Sequence, residues 1–94
     1  MVHLRLYVSG RSDLSERAAA SARAFCSAEL GDDYQLEIVD VVAQPQVAEE
    51  DGIVTTPTLV RCSPLPQRRL IGDLSDRSRV VNVLGLTEIT SRPA

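Results

Sequence analysis

The stretch Asp40–Leu59, DVVAQPQVAEEDGIVTTPTL, decides the fold of this 94-residue chain. It begins at the end of a strand, passes through a short helix from Pro45 to Asp51, and ends in a Thr-Thr-Pro-Thr entry into another strand. Proline suits the first turn of a helix because its missing N–H would be unbonded there anyway. Gly52 ends the helix. The stretch therefore predicts a strand–helix–strand unit within an α/β domain.

Length and composition limit the chain to one small domain spanning residues 1–94. Hydrophobic residues make up 44% of the sequence and aromatic residues 3%, which predicts an aliphatic core. The net charge is −3 and all 10 cations are arginines, without a basic run. The charge pattern thus gives no indication of nucleic-acid binding.

No apolar run approaches the roughly 18 residues that a membrane-spanning helix needs. The N-terminus MVHLRLYVSG lacks the order of charged and apolar residues found in a secretion signal. We therefore expect a cytoplasmic protein without a membrane partner. Cys26 and Cys62 form no C-x-x-C motif, and we interpret both as small buried hydrophobes.

The first half of the chain predicts a strand, a long helix and a second strand. Alternation over His3–Val8 indicates a strand near the sheet centre. The helix runs from Leu14 to about Leu30, with Asp13 as N-cap and Glu16 completing a capping box. The second strand is Tyr34–Val42, parallel to the first. The apolar stripe of the helix contains Leu14, Ala18, Ala22, Phe25 and Leu30, widened by Ala19 and Cys26.

The second half predicts a hairpin and a segment of mixed preference. Thr58–Cys62 is the third strand, and Arg68–Ile71 returns antiparallel to it. Ser75 is the expected N-cap of the last segment, which extends to Leu86. Apolar spacing there favours a helix, whereas its valines favour a strand, and Gly85 weakens a helix by roughly 1 kcal/mol. Residues 87–94 are expected to form a flexible tail.

The order β-α-β-α-β-β-α, with a four-stranded mixed sheet, is thioredoxin-like. The chain also resembles thioredoxins in its sequence frame, and the resemblance implies a cis peptide bond at Pro57. The matching positions are Asp40, Pro45, Ala48, Gly52-Ile53 and Pro57-Thr58-Leu59.

Thioredoxin chemistry requires a thiolate at the N-terminus of the first long helix. The equivalent turn, residues 9–13, contains no cysteine. An oxidoreductase with a displaced thiol at Cys26 or Cys62 remains a weaker alternative. His3 is the only histidine, so we expect neither a multi-histidine metal site nor a cofactor.

Several motifs resemble the KaiB family of circadian-clock proteins over about residues 4–84. The most specific is the LP-x-RR-x-IGDLSDR block at Leu65–Arg77. The others are Leu4-x-Leu6-Tyr7-Val8-Ser9-Gly10, Val39-Asp40-Val41, Pro45–Asp51 and Thr56-Pro57-Thr58-Leu59.

The resemblance implies a non-enzymatic adaptor that binds a KaiC-like ATPase ring and modulates its phosphorylation or output signalling. A KaiA-like protein or a histidine kinase is a further implied partner. It also implies fold switching between the thioredoxin-like monomer and a tetrameric ground state of order β-α-β-β-α-α-β. The alternative within the same fold is a stress-response or kinase-sensor adaptor without a clock role.

Residues that match family positions near binding surfaces are candidates for partner contact. They are Arg17, Glu37, Val39, Asp40, Val41, Arg68, Arg69 and Asp73. The switching region matches Val83, Leu84, Gly85 and Leu86.

The chain departs from the family pattern at three places. Glu37 stands where relatives commonly carry lysine, which reverses the charge of the second strand. The family's Gly-Leu-Asp-Leu reads Val83-Leu84-Gly85-Leu86 here, and the acidic tail is missing. We therefore predict that the thioredoxin-like state is the resting state, as a monomer or weak dimer.

Overall fold

The computed structural model describes residues 1–72 and 74–86, and the helices and strands within those ranges follow the predicted order. They are β1 (Val2–Val8), α1 (Asp13–Leu30), β2 (Tyr34–Asp40), α2 (Pro45–Glu50), β3 (Thr58–Ser63), β4 (Arg68–Ile71) and α3 (Arg77–Leu84). The order β-α-β-α-β-β-α confirms the thioredoxin-like prediction. The alternative order β-α-β-β-α-α-β is not the fold of this structure.

The sheet is mixed and four-stranded, with the strand order β2-β1-β3-β4. β1 and β2 are parallel, so Leu4 lies beside Leu36 and Val8 beside Asp40. The long crossover through α1 permits this parallel pairing. β3 is antiparallel to both β1 and β4. β1 is therefore an inner strand, as predicted, while β2 and β4 form the two edges of the described sheet.

Two hydrophobic clusters attach helices to both faces of the sheet. The larger lies under α1 and α3 and is mainly aliphatic, as the composition predicted. Alternate β1 residues point into it, and they are Val2, Leu4, Leu6 and Val8. The smaller cluster lies on the opposite face under α2 and contains Tyr7, Val39, Ala48 and Val60.

α1 begins one residue earlier than predicted because Ser12, not Asp13, is its N-cap. The Ser12 hydroxyl accepts a hydrogen bond from the backbone N–H of Ser15 at 3.1 Å. Asp13 and Glu16 instead lie in the first turn, where negative charge is favourable.

The predicted apolar stripe of α1 is also corrected at its first position. Leu14 is 65% exposed, because the buried face follows Ser15, Ala18, Ala22 and Cys26 at helical spacing. Leu14 lies one position away from that face. At the other end of the helix, Gly31 has a φ of 62° and its N–H bonds to the Ser27 carbonyl, as expected of a glycine cap.

β2 and α2 are both shorter than predicted, by two residues and one residue at their C-terminal ends. β2 ends at Asp40 rather than Val42, because the Asp40 carboxylate accepts the Val42 N–H at 2.9 Å and turns the chain. α2 ends at Glu50, and Asp51 is its C-cap. Gly52 follows with a φ of 66°, a left-handed conformation that favours glycine.

The last segment, whose sequence favoured both a helix and a strand, is helical over residues 77–84 and forms α3. Its N-cap is Asp76, whose carboxylate accepts the Arg79 N–H at 3.1 Å, and not Ser75 as predicted. The helix ends at Leu84, before Leu86, and Gly85 lies beyond it in the left-handed conformation. The predicted helix-weakening effect of Gly85 is therefore wrong, because this glycine caps the helix.

The region predicted to switch folds packs against the larger cluster. Leu84 and Leu86 are buried and Val83 is half-buried. The Thr56–Pro57 bond is cis, as are Ser63–Pro64 and Leu65–Pro66. Asp73 and the predicted tail of residues 87–94 lie outside the described residues.

Candidate partner-binding surface

Four of the predicted contact residues lie on the edge strand β2 or directly after it. They differ in how far their side chains are exposed. Glu37 is exposed, with 58% of its side-chain surface accessible. Val39 is buried in the smaller cluster, and Val41, just beyond the strand, is half-buried against it. Leu36 and Ile38 point to the opposite face of the sheet. Glu37 and Asp40 are the charged side chains of this strand, and Glu37 is the more exposed of the two.

An ion-pair network joins this edge to α2. The Arg5 guanidinium on β1 donates to the Glu37 carboxylate at 2.7 Å and to the Asp51 carboxylate at 2.9 Å. The buried Tyr7 hydroxyl also donates to Asp51, and Arg5 donates to that hydroxyl at 3.2 Å. Burial lowers the pKa of the Arg5 guanidinium, but the negative charges of Glu37 and Asp51 have the larger combined effect. The pKa is therefore raised.

The network continues to the other edge of the sheet. The pairing registers place Glu37, Arg5, Val60 and Arg69 in one row across all four strands. Arg69 donates to the backbone carbonyl of Asp51, and to that of Gly52 at 3.3 Å. Arg69, predicted as a contact residue, thus also fixes the turn after α2.

Sequence reasoning missed Arg5, Tyr7 and Asp51 as members of this site. Only 28% of the Asp51 side-chain surface is exposed, and its carboxylate bonds to two side chains. The available signal was the alternation of β1, which puts Arg5 and Tyr7 on the same face. Their partner is more than forty positions away, and no local pattern indicates it.

Asp40, another predicted contact residue, joins two loops. Its carboxylate accepts the Gly10 N–H and the Val42 N–H, each at 2.9 Å. These backbone hydrogen bonds, Gly10 first, hold the pKa of Asp40 below its ordinary value. The residue thereby connects the end of β2 to the turn between β1 and α1.

The remaining predicted contact residues do not converge with the β2 edge. Arg17 is exposed on α1, and Arg68 is half-buried on β4, the opposite edge strand, where it pairs in register with Arg61. Asp73 is not among the described residues. The candidate set therefore divides between two edges of the sheet and one helix.

The site equivalent to a thioredoxin active centre holds hydroxyl groups in place of thiols. The N-terminus of α1 and Pro57 line a small pocket with Ser9, Ser12 and Ser15. Cys26 is fully buried in the larger cluster, and burial raises its pKa to about 11. Cys62 is a half-buried free thiol whose pKa is also raised by burial.

The described part of the chain offers little to a metal ion or a membrane. Among its residues, no three His, Cys, Asp or Glu side chains come together as a metal site. None of its helices combines the length and hydrophobicity needed to cross a bilayer.

Solved structures with similar folds agree with this architecture. The solution structure of the N-terminal domain of Synechococcus elongatus SasA matches with a TM-score of 0.74 and 23% identity, covering 99% of this chain and 88% of that one. Thioredoxin 1 of Thermosipho africanus matches with a TM-score of 0.73 and 15% identity, covering 96% and 99%. At these identities the likeness shows the fold alone, and that fold is thioredoxin-like.

Sequence relatives identify the family. The KaiB domain model matches residues 5–86. The circadian clock protein KaiB3 of Synechocystis sp. is 48% identical over 83 residues, which cover 88% of this chain and 79% of the relative. The circadian clock oscillator protein KaiB of Synechococcus sp. is 49% identical over 83 residues, covering 88% and 76%. The chain therefore belongs to the KaiB family of circadian-clock proteins.

Proposed function

We propose that this protein is a non-enzymatic cytoplasmic adaptor that binds a KaiC-like ATPase ring and modulates the ring's phosphorylation or its output signalling. Membership of the KaiB family supports this function. A KaiA-like protein or a histidine kinase is the proposed second partner, recruited or displaced once the ring is occupied. The thiol arrangement agrees with a binding role, because the N-terminus of α1 carries serine where disulfide chemistry requires cysteine.

The observation that carries the proposal is the exposed edge of β2. An edge strand presents a row of backbone N–H and C=O groups that can pair with another chain. β2 is bonded on one side to β1 and lies at the end of the described sheet. On the face away from the larger cluster, Gln35 and Glu37 are exposed while Val39 is buried, so a partner can meet both backbone groups and Glu37.

Sedimentation of the protein with the ATP-bound KaiC-like ring from the same organism tests the proposal. We expect the protein to co-sediment with the ring. Hydrogen exchange in the complex should slow at Tyr34–Asp40, because partner binding removes solvent from that edge. The other edge strand, Arg68–Ile71, is the internal control and should exchange at its free rate.

Two results would contradict this proposal. Absence of co-sedimentation at ring concentrations of tens of micromolar, in either nucleotide state, would remove the ring as partner. Slower exchange confined to β4 would assign binding to the opposite edge. In that case Arg68 and Arg69 would be the contact residues and Glu37 would not.

A further inference from the structure

The β2 edge is acidic. Asp32, Asp33 and Glu37 are exposed along the strand and the turn that leads into it. Asp33 lies 3.5 Å from the amino group of Met1, a pair between two well-exposed groups that contributes little. Within the strand itself Glu37 is exposed, whereas Asp40 at its end is half-buried and its carboxylate accepts two backbone N–H groups.

The nearest cation does not neutralise this edge. Arg5 is shared between two carboxylates, so one positive charge faces the two negative charges of Glu37 and Asp51. Its bond from Nε also fixes the Glu37 carboxylate before any partner arrives. A side chain ordered in advance loses less conformational entropy on binding. Glu37 is thus a positioned negative charge, and Arg5 positions it.

A second copy of this chain meets like-charge repulsion in two of the antiparallel registers at this edge. Antiparallel pairing of two β2 strands centred on Glu37 places Glu37 opposite itself, and pairing centred on Gln35 places it opposite Asp33. Like charges directly across a strand pair are destabilising. The complementary occupant is an extended segment that carries arginine or lysine.

We propose that Glu37 determines partner specificity: the β2 edge accepts a basic extended segment of the ring and rejects an acidic one. This inference rests on the proposed function and adds the chemistry of the segment that the ring must present. The specificity arises from a repulsive element as well as an attractive one, since an acidic segment would face Glu37 directly.

The first test compares ring binding by the wild type, Glu37→Lys, Glu37→Gln and the control Glu50→Lys. Glu50 is exposed on α2, so the control makes the same charge change away from the edge. We expect Glu37→Lys to weaken binding about tenfold or more, Glu37→Gln to weaken it less, and the control to stay within about twofold. Wild-type affinity should fall as salt increases, whereas that of Glu37→Lys should rise, because salt screens the like-charge repulsion in that variant.

Amide NMR spectra establish that each variant remains folded, which we expect because an exposed ion pair contributes little to stability. If the ring binds Glu37→Lys as tightly as the control variant, the inference is overturned while the proposed function stands.

The second test measures the preference of the β2 edge for a basic segment without the ring, so it applies even if the ring does not bind. It uses two peptides of about twelve residues in which threonine and valine alternate. Three positions are lysine in one peptide and glutamate in the other, and the peptides are otherwise identical. We expect the lysine peptide to shift the amide signals of Tyr34–Asp40 and the glutamate peptide to leave them unchanged. Glu37→Lys should remove that preference. Equal responses to both peptides would overturn the inference, whereas a lysine preference without ring binding would overturn only the proposed function.

Discussion

At the scale of single residues, two positions determine where the chain turns next to functional elements. Asp40 accepts backbone N–H groups from both sides of its strand end, which orients the loops at one end of the β2 edge. Gly85 adopts the left-handed conformation that ends α3. In both cases the backbone geometry predicts that the residue stabilises the folded state, and a substitution at each position tests this.

The Asp40→Asn variant should lose stability at neutral pH relative to the wild type. The pKa of Asp40 is lowered in the folded state, so its carboxylate contributes stability above the unfolded value of about 3.9, and that contribution is lost as pH falls through the folded pKa. Urea unfolding of both proteins between about pH 7 and pH 2 measures the difference. It should shrink as pH falls below about 4. A difference that grows with acidity would contradict the assignment.

The Gly85→Ala variant should lower the free energy of unfolding by about 1 kcal/mol, because a side chain in the left-handed conformation is strained. Gly85→Asn is the matched control and should lose less, since asparagine tolerates this conformation better. Chemical denaturation measures both. A gain in stability with alanine would mean that residue 85 continues the helix and does not cap it.

The positions of the caps show what residue-level sequence reasoning can predict. Ser12 and Asp76 each lie one residue from the predicted caps, Asp13 and Ser75. All four are good capping residues, so the sequence alone does not select between neighbours. The choice depends on which side chain reaches a free backbone N–H once the helix is docked on the sheet.

At the scale of elements, α3 is attached to the sheet by a buried arginine. Arg61 on β3 is 3% exposed, and its guanidinium donates to the backbone carbonyls of Leu84 and Pro66, each at 2.7 Å. The Leu84 carbonyl belongs to the last turn of α3, where carbonyls lack donors within the helix.

The Arg61→Met variant should lower the free energy of unfolding by about 2–4 kcal/mol, because the apolar chain fills the space but leaves the Leu84 carbonyl without this donor. Amide exchange should accelerate more in Arg77–Leu84 than in α1. The control is Arg69→Met, which removes an exposed arginine from the neighbouring strand and should cost at most about 1 kcal/mol. Equal losses in the two variants would contradict the attachment role.

The elements themselves were largely predictable, and the contacts between them were not. Periodicity and turn residues indicated the order of the described strands and helices, because local patterns reflect which face is buried, but the valines of the last segment also favoured a strand. The bonds of Arg5 and Tyr7 to Asp51 depend on how α2 lies across the sheet. That placement is set by packing of the smaller cluster, including Val39 and Ala48, and a local pattern does not encode it.

At the scale of the whole molecule, both thiols lie away from the N-terminus of α1, which is where thioredoxin-like folds perform redox chemistry. Cys26 lies in the larger cluster between α1 and the sheet, and Cys62 lies on the opposite face near Arg5. The architecture is thus compatible with a scaffold for recognition, in which edges and faces of the sheet are the useful surfaces.

Alkylation of the folded protein should modify Cys62 before Cys26. The thiolate is the reactive form, and burial raises the pKa of Cys26 to about 11, so little thiolate exists at pH 8. Mass spectrometry after iodoacetamide treatment measures the order, and the urea-unfolded protein is the control in which both should react alike. Faster modification of Cys26 in the folded state would contradict its placement in the core.

We propose that this KaiB-family chain rests as a thioredoxin-like monomer or weak dimer and binds the ring through its β2 edge. Backbone NMR of the free protein, followed by titration with the ATP-bound KaiC-like ring, tests it most directly. We predict helical chemical shifts at Arg77–Leu84 in the free state and loss of the Tyr34–Asp40 signals on addition of the ring. Strand shifts at Arg77–Leu84 in a tetramer, or β2 signals that do not respond to the ring, would contradict it.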